Sequence, residues 1–205
     1  MLGGILLAVH YFTHPPGETA PYALDPLWVP SHVIGAVAYL LIPLGLMGFY
    51  ARQSRQMGWL GLLAVVLTFV GSTLSAGSSI FVSAALVPFL AARGLDWADP
   101  PSGALYASLA FQIAVGVSGS ALLVGLLLLA VATLRAHVVP PVGAWLVILT
   151  VPLGIVVIAL VFFIGTSQQR LLGALVGGVL GLGVAAWGWA LWSEKGVAVA
   201  AAPGV

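Results

Sequence analysis

No cysteine occurs in the 205 residues of the chain. Disulfides, thiolate metal ligands, cysteine nucleophiles and covalent c-type haem attachment are therefore excluded together. Charge is almost as scarce: six Lys+Arg and five Asp+Glu make up 5% of the residues and leave a formal charge of +1, against about 25% charged residues in a soluble domain. So few cations, scattered rather than clustered, cannot neutralise a phosphate backbone, and nucleic acid is excluded as a partner. No acidic or basic residue falls near the centre of a long apolar segment, so the usual mark of proton relays and ion-coupled pumps is missing. A Walker glycine loop, a G-x-S-x-G elbow and an H-E-x-x-H pair are also lacking, which leaves phosphoryl transfer, serine hydrolysis and zincin chemistry without support.

What remains is hydrocarbon, with 61% hydrophobic residues and 26 glycines. A helix crosses the roughly 30 Å apolar core of a bilayer with about 20 such residues. Polar punctuation divides the chain into six segments, about 1–13, 28–51, 58–92, 103–134, 142–164 and 171–192. They predict an all-α polytopic transmembrane helical bundle forming a single integral membrane domain. Asp25-Pro26 and Pro30-Ser31 suit the entry of the second helix, and Arg52-Gln53-Ser54-Arg55 its exit. The third and fourth segments overreach a bilayer by about ten residues each, so they are expected to tilt, break or lean outward as a hairpin. The first segment makes only about 20 Å of helix. It is expected to be a partial, retained helix or to be preceded by further residues.

Orientation follows from the Lys/Arg bias of short loops. Arg52, Arg55, Arg135 and Lys195 fall on one side, Arg93 and Arg170 on the other. This predicts a multi-pass inner-membrane protein with both termini in the cytoplasm.

Two stripes of small or polar residues stand out. Gly173, Gly177 and Gly181 recur every four residues in the sixth span, continued by Ala185. Such a stripe lets helix backbones approach closely in lipid, so it predicts a docking face for another span, a second protomer or a membrane-complex partner. Thr68, Ser72, Ser75, Ser79 and Ser83 share one face of the third span. They serve either as small residues at a helix contact, bonded to their own i−4 carbonyls, or as a polar lining along which a facilitator passes a neutral solute. Gln112 in the fourth span needs partners if buried and is expected to meet Ser79 and Ser83 near the outer interface.

Three of the four histidines, His10, His14 and His32, map to the outer end, and His137 to a cytoplasmic turn. His10 and His14 have the i, i+4 spacing that aligns two imidazoles on a helix, and neutral imidazole is the commonest metal ligand. Pro15 disfavours helical geometry at His14, so that ring can turn away. His32 starts the second helix with Gly35 and Tyr39 on roughly its face, and Glu18 or Asp25 is available to complete a site. The alternative is that these histidines are interfacial anchors bonded to backbone or water.

His14-Pro15-Pro16, Trp28-Val29-Pro30-Ser31-His32 and the stretch from Gly45 through Gly48 and Arg52 to Gln53, followed by Gly58 and Gly61, resemble a group of small bacterial multi-span membrane proteins of unknown function. The resemblance covers about the first third of the chain and implies no activity.

These features lead to a binding protein or membrane-complex subunit without enzymatic activity. Its expected pocket lies near the extracytoplasmic interface, lined by His10, His32, Tyr39, Ser79, Ser83 and Gln112, for a lipid-like molecule, a quinone or haem. A metal- or haem-dependent redox protein or enzyme using His10, His14 and His32 is the alternative. Lipid bilayer is the one partner that composition demands.

Overall fold

The structure, a computed structural model, describes residues 1–16, 20–95, 109–164 and 169–200, and among these every regular element is helical. Helix α1 spans Leu2–Thr13 and ends where His14 becomes extended, with φ −62 and ψ 130. Pro15 explains the stop, because its ring clashes with a helical predecessor. A single turn, α2 (Ala20–Ala23), leads to α3, Trp28–Gly77. At its entry the Asp25 carboxylate accepts the Leu27 amide at 2.7 Å, satisfying a donor near a helix start that has no intrahelical partner.

Helix α3 has 50 residues and would reach about 75 Å if straight, more than twice the hydrocarbon thickness. It doubles back instead. Gly58 has φ 55 and ψ −149, a conformation close to the region reserved for glycine. The two arms, 28–57 and 59–91, then lie side by side: Trp28 Nε1 donates to the Ser83 carbonyl at 2.6 Å across 55 residues. Beyond Gly77 the helix loosens into a π-helical stretch, Ser78–Leu86, and regains α geometry in α4, Val87–Ala91. The basic run at Arg52–Arg55, expected as the exit of the second segment, stays helical. Its residues are adequate helix formers, whereas Gly58 alone supplies the positive φ of a reversal.

Helices α5 (Leu109–Ala136), α6 (Val142–Ile164) and α7 (Gln169–Ala200) complete the chain. Helix α5 starts at Leu109, and residues 103–108, read as part of the same segment, lie outside the described residues. Among the described residues four stretches are long and apolar enough to cross a membrane: Trp28–Ala91, which contains the Gly58 reversal, Gln112–Ala136, Val142–Leu160 and Gly173–Ser193. Helix α1 is apolar but shorter.

The elements pack in a closed sequence, α3 on α5, α5 on α6, α6 on α7, α7 on α1 and α1 back on α3. The extensive α3–α5 contact has glycine on both sides. A Cβ on Gly71 would overlap the Leu122 backbone, and one on Gly125 the Thr68 backbone and hydroxyl. Inside lie Leu7, Leu126, Leu129, Val147 and Trp187, while Leu44, Trp59, Phe81 and Ile158 are each more than two-thirds exposed. In water such a surface would drive association. In hydrocarbon it is the surface a spanning bundle needs, so the fold has the character of a helical membrane protein.

Candidate functional site

The position of α1 sets the site. Gly4 and Ala8 of α1 meet Gly181 and Ala185 of α7 backbone to backbone, and the Tyr11 ring lies over Gly177. The small-residue stripe of α7 thus receives a helix of the same chain along Gly177 and Gly181, whereas nothing lies within 4 Å of a Cβ built on Gly173. On its other side α1 packs on α3, and Gly35 makes room for His10, whose ring atoms would stand 2.8–3.0 Å from a Cβ there.

This docking gathers His10, His14 and His32 at one end of the bundle. Their ring centroids are 5.5 Å apart for His10–His14, 5.7 Å for His10–His32 and 4.8 Å for His14–His32. Trp28 packs on two of them, 4.5 Å from His32 and 5.6 Å from His14. Tyr39 is 6.3 Å from His10 and hydrogen-bonds Tyr11. His10, His32, Trp28 and Tyr39 are buried. Trp28 and Tyr11 were not singled out from the sequence, although Trp28 stands four residues before His32 and so shares its helix face.

Each imidazole is held by its Nδ1. His10 Nδ1 is 2.7 Å from the Ser31 carbonyl, His14 Nδ1 2.7 Å from the Pro15 carbonyl, and His32 Nδ1 2.8 Å from the Trp28 carbonyl. A carbonyl only accepts, so all three Nδ1 atoms carry the proton and donate it. In the neutral ring this makes Nε2 the acceptor nitrogen. His14 Nε2 and His32 Nε2 nevertheless stand 3.2 Å apart. Two lone pairs at that distance repel each other unless a cation lies between them, either a shared proton or a metal ion.

The spacing separates two kinds of metal. With metal–imidazole bonds of about 2.0 Å, ligands at a tetrahedral angle stand about 3.3 Å apart and trans ligands about 4 Å apart. The observed 3.2 Å fits the tetrahedral pair. Axial haem ligation by His14 and His32 would need the trans separation of about 4 Å, which the observed 3.2 Å does not match. Among the described residues no three His, Asp or Glu side chains converge to enclose an ion, so the preformed element is the pair. Asp25 is engaged at the α3 entry, and Glu18 lies outside the described residues.

The remaining expected pocket residues divide. Ser79 is buried, and Ser83 contributes its carbonyl to Trp28. Gln112 is exposed on α5. The hydroxyl stripe lies at the α3–α5 contact. There Thr68 Oγ1 donates to its own i−4 carbonyl of Ala64 at 2.8 Å, and Ser75 and Ser118 hydroxyls pair across the helices at 2.7 Å. A cavity of about 1010 Å³ lies at the far end of α1, and neither the histidines nor the hydroxyl stripe line it. His137 has φ 52 just past α5, far along the chain from the other three.

No protein-family model matches the chain, and neither the curated proteins nor the solved structures contain a significant match.

Proposed function

We propose that this chain is a multi-pass bacterial inner-membrane protein, a binding protein or complex subunit, that holds one divalent transition-metal ion between His14 and His32 at the extracytoplasmic end of the bundle. The observation that carries the proposal is the facing pair of Nε2 atoms at 3.2 Å, each with its Nδ1 tied to a carbonyl. Backbone carbonyls behind imidazole ligands are the usual outer partners that set ring orientation and raise ligand basicity. His10, held in the same way, or water completes the shell. The absence of thiols and the use of imidazole suit zinc, copper or nickel better than hard cations.

A lipid-like molecule, quinone or haem at this end has less support, because the rings of Trp28, His32, His14, His10 and Tyr39 pack on one another with centroids 4.5–6.3 Å apart. Topology supports the placement. If α1, the two arms of α3, α5, α6 and α7 each cross, both termini share the side of Arg52, Arg55 and Arg135 and the histidines lie opposite, which is the reading the Lys/Arg bias favours.

The test is elemental analysis of the purified full chain after zinc loading and removal of excess metal. One zinc per chain is expected, retained in His137→Ala and lost in both His14→Ala and His32→Ala. Zinc-free wild type, or equal retention in all three variants, overturns the proposal.

A further inference from the structure

A π-helix is rare beyond a single turn, yet Ser78–Leu86 keeps that form over nine residues. The end of the stretch shows what selects it. The Val87 amide donates to the Val82 carbonyl, five residues back, and not to Ser83, which α geometry would give it four residues back. The next amide of the π series would serve Ser83, but position 88 is proline and has no N–H. Both backbone donors therefore pass the Ser83 carbonyl by, and Trp28 Nε1 donates to it at 2.6 Å. A buried indole N–H needs an acceptor, and a carbonyl in hydrocarbon needs a donor, so the bond satisfies both. In the α register Val87 would cover Ser83, and Pro88 would instead bare the Ala84 carbonyl, about 100° further round the helix. The indole bond thus favours the π register over the α register.

The rest of Trp28 serves the histidines. Its side chain is fully buried and shares an apolar cluster with Ala23 of α2 and with Val87 and Ala91 of α4. The same ring packs on His32 and His14, with centroids 4.5 Å and 5.6 Å away, and the Trp28 carbonyl accepts the His32 Nδ1 proton at 2.8 Å. One residue therefore touches the π-helical arm and both imidazoles.

We infer that Trp28 is the positioning residue of the His14–His32 pair and that Pro88 sets it, by leaving the Ser83 carbonyl to the indole and so holding residues 78–86 in the π register. A change from π to α register there changes the seat of both imidazoles. The effect on metal rests on the reading of the pair as a metal site, whereas the indole bond and the register stand or fall without metal.

Two measurements on the full chain in detergent test this. In the zinc-free protein the Trp28 indole N–H resonance, assigned by its loss in Trp28→Phe, is expected to move upfield in Pro88→Ala, whose new amide competes for the Ser83 carbonyl. An unmoved resonance overturns the inference whether or not zinc binds. Zinc titration reads the link to the histidines. Trp28→Phe keeps a ring against His32 and removes only the donor, and is expected to lower zinc affinity about tenfold, as loss of a partner behind a ligand does. Adding Pro88→Ala supplies the Ser83 carbonyl with an amide in the π register and is expected to recover most of that loss. Unchanged affinity in Trp28→Phe, or no recovery in the double variant, overturns the inference. A wild type that takes no zinc contradicts the metal reading alone. The thermal midpoints of the zinc-free chains then decide: Pro88→Ala is expected to raise the midpoint of Trp28→Phe by more than that of the wild type, and equal gains overturn the inference.

Discussion

His14 and His32 face each other Nε2 to Nε2 at 3.2 Å although both rings have already committed their Nδ1 protons to backbone carbonyls. In a metal-free neutral cluster that contact is repulsive, and a bound cation turns it into the most favourable contact of the site. Zinc at a free concentration a hundredfold above its dissociation constant should therefore stabilise the wild-type chain by about 2.7 kcal/mol. His14→Ala and His32→Ala should show no such rise. Thermal unfolding in detergent with and without zinc reads the difference.

The cluster also depends on residues that never touch it. Gly181 receives the backbone of α1 at Gly4 and Ala8, so Gly181→Ile should push α1 off α7 and carry His10 and His14 with it. Zinc affinity should fall about tenfold or more, within the range seen when partners behind the ligands are disturbed. Gly173→Ala, with open space around it, should bind zinc as the wild type does. Parallel zinc titrations of the two variants decide this.

The reversal of α3 rests on one backbone conformation. Gly58→Ala forces a Cβ into φ 55, ψ −149, and strain of that kind costs about 1–3 kcal/mol. The variant should unfold correspondingly earlier in a denaturant titration. Gly116→Ala on α5, where nothing lies within 4 Å, should leave the midpoint unchanged or raise it.

Across the α3–α5 contact, Ser75 and Ser118 share a 2.7 Å hydrogen bond. Interhelical bonds of this type average about 0.6 kcal/mol in membrane proteins. A double-mutant cycle with Ser75→Ala and Ser118→Ala should return a coupling of that order. A coupling of zero would mean that the hydroxyls act only as small residues.

Helical class and the apolar stretches could be read directly from composition and punctuation, because lipid forces backbone hydrogen bonds into helices and excludes charge from the spans. The grouping of His10, His14, His32 and Tyr39 toward one end was visible for the same reason, since span direction alone assigns each residue an end. What could not be read was tertiary. The Arg52–Arg55 run looked like a turn because it is polar, yet helical hydrogen bonds run through it and the chain waits for Gly58. Pro15 announced the extended His14, but that the ring folds back to His32 is a product of the tertiary fold. The stripe on α7 gave no hint that its partner is α1, because small residues specify closeness and not identity.

The most direct measurement on the histidine pair is X-ray absorption at the zinc edge of the loaded, purified chain. Two or more imidazole nitrogens at about 2.0–2.1 Å in the wild type, reduced by one in His32→Ala or with zinc lost altogether, are the expected result. A shell of oxygen ligands only, or an imidazole count unchanged by His32→Ala, would contradict metal binding between His14 and His32.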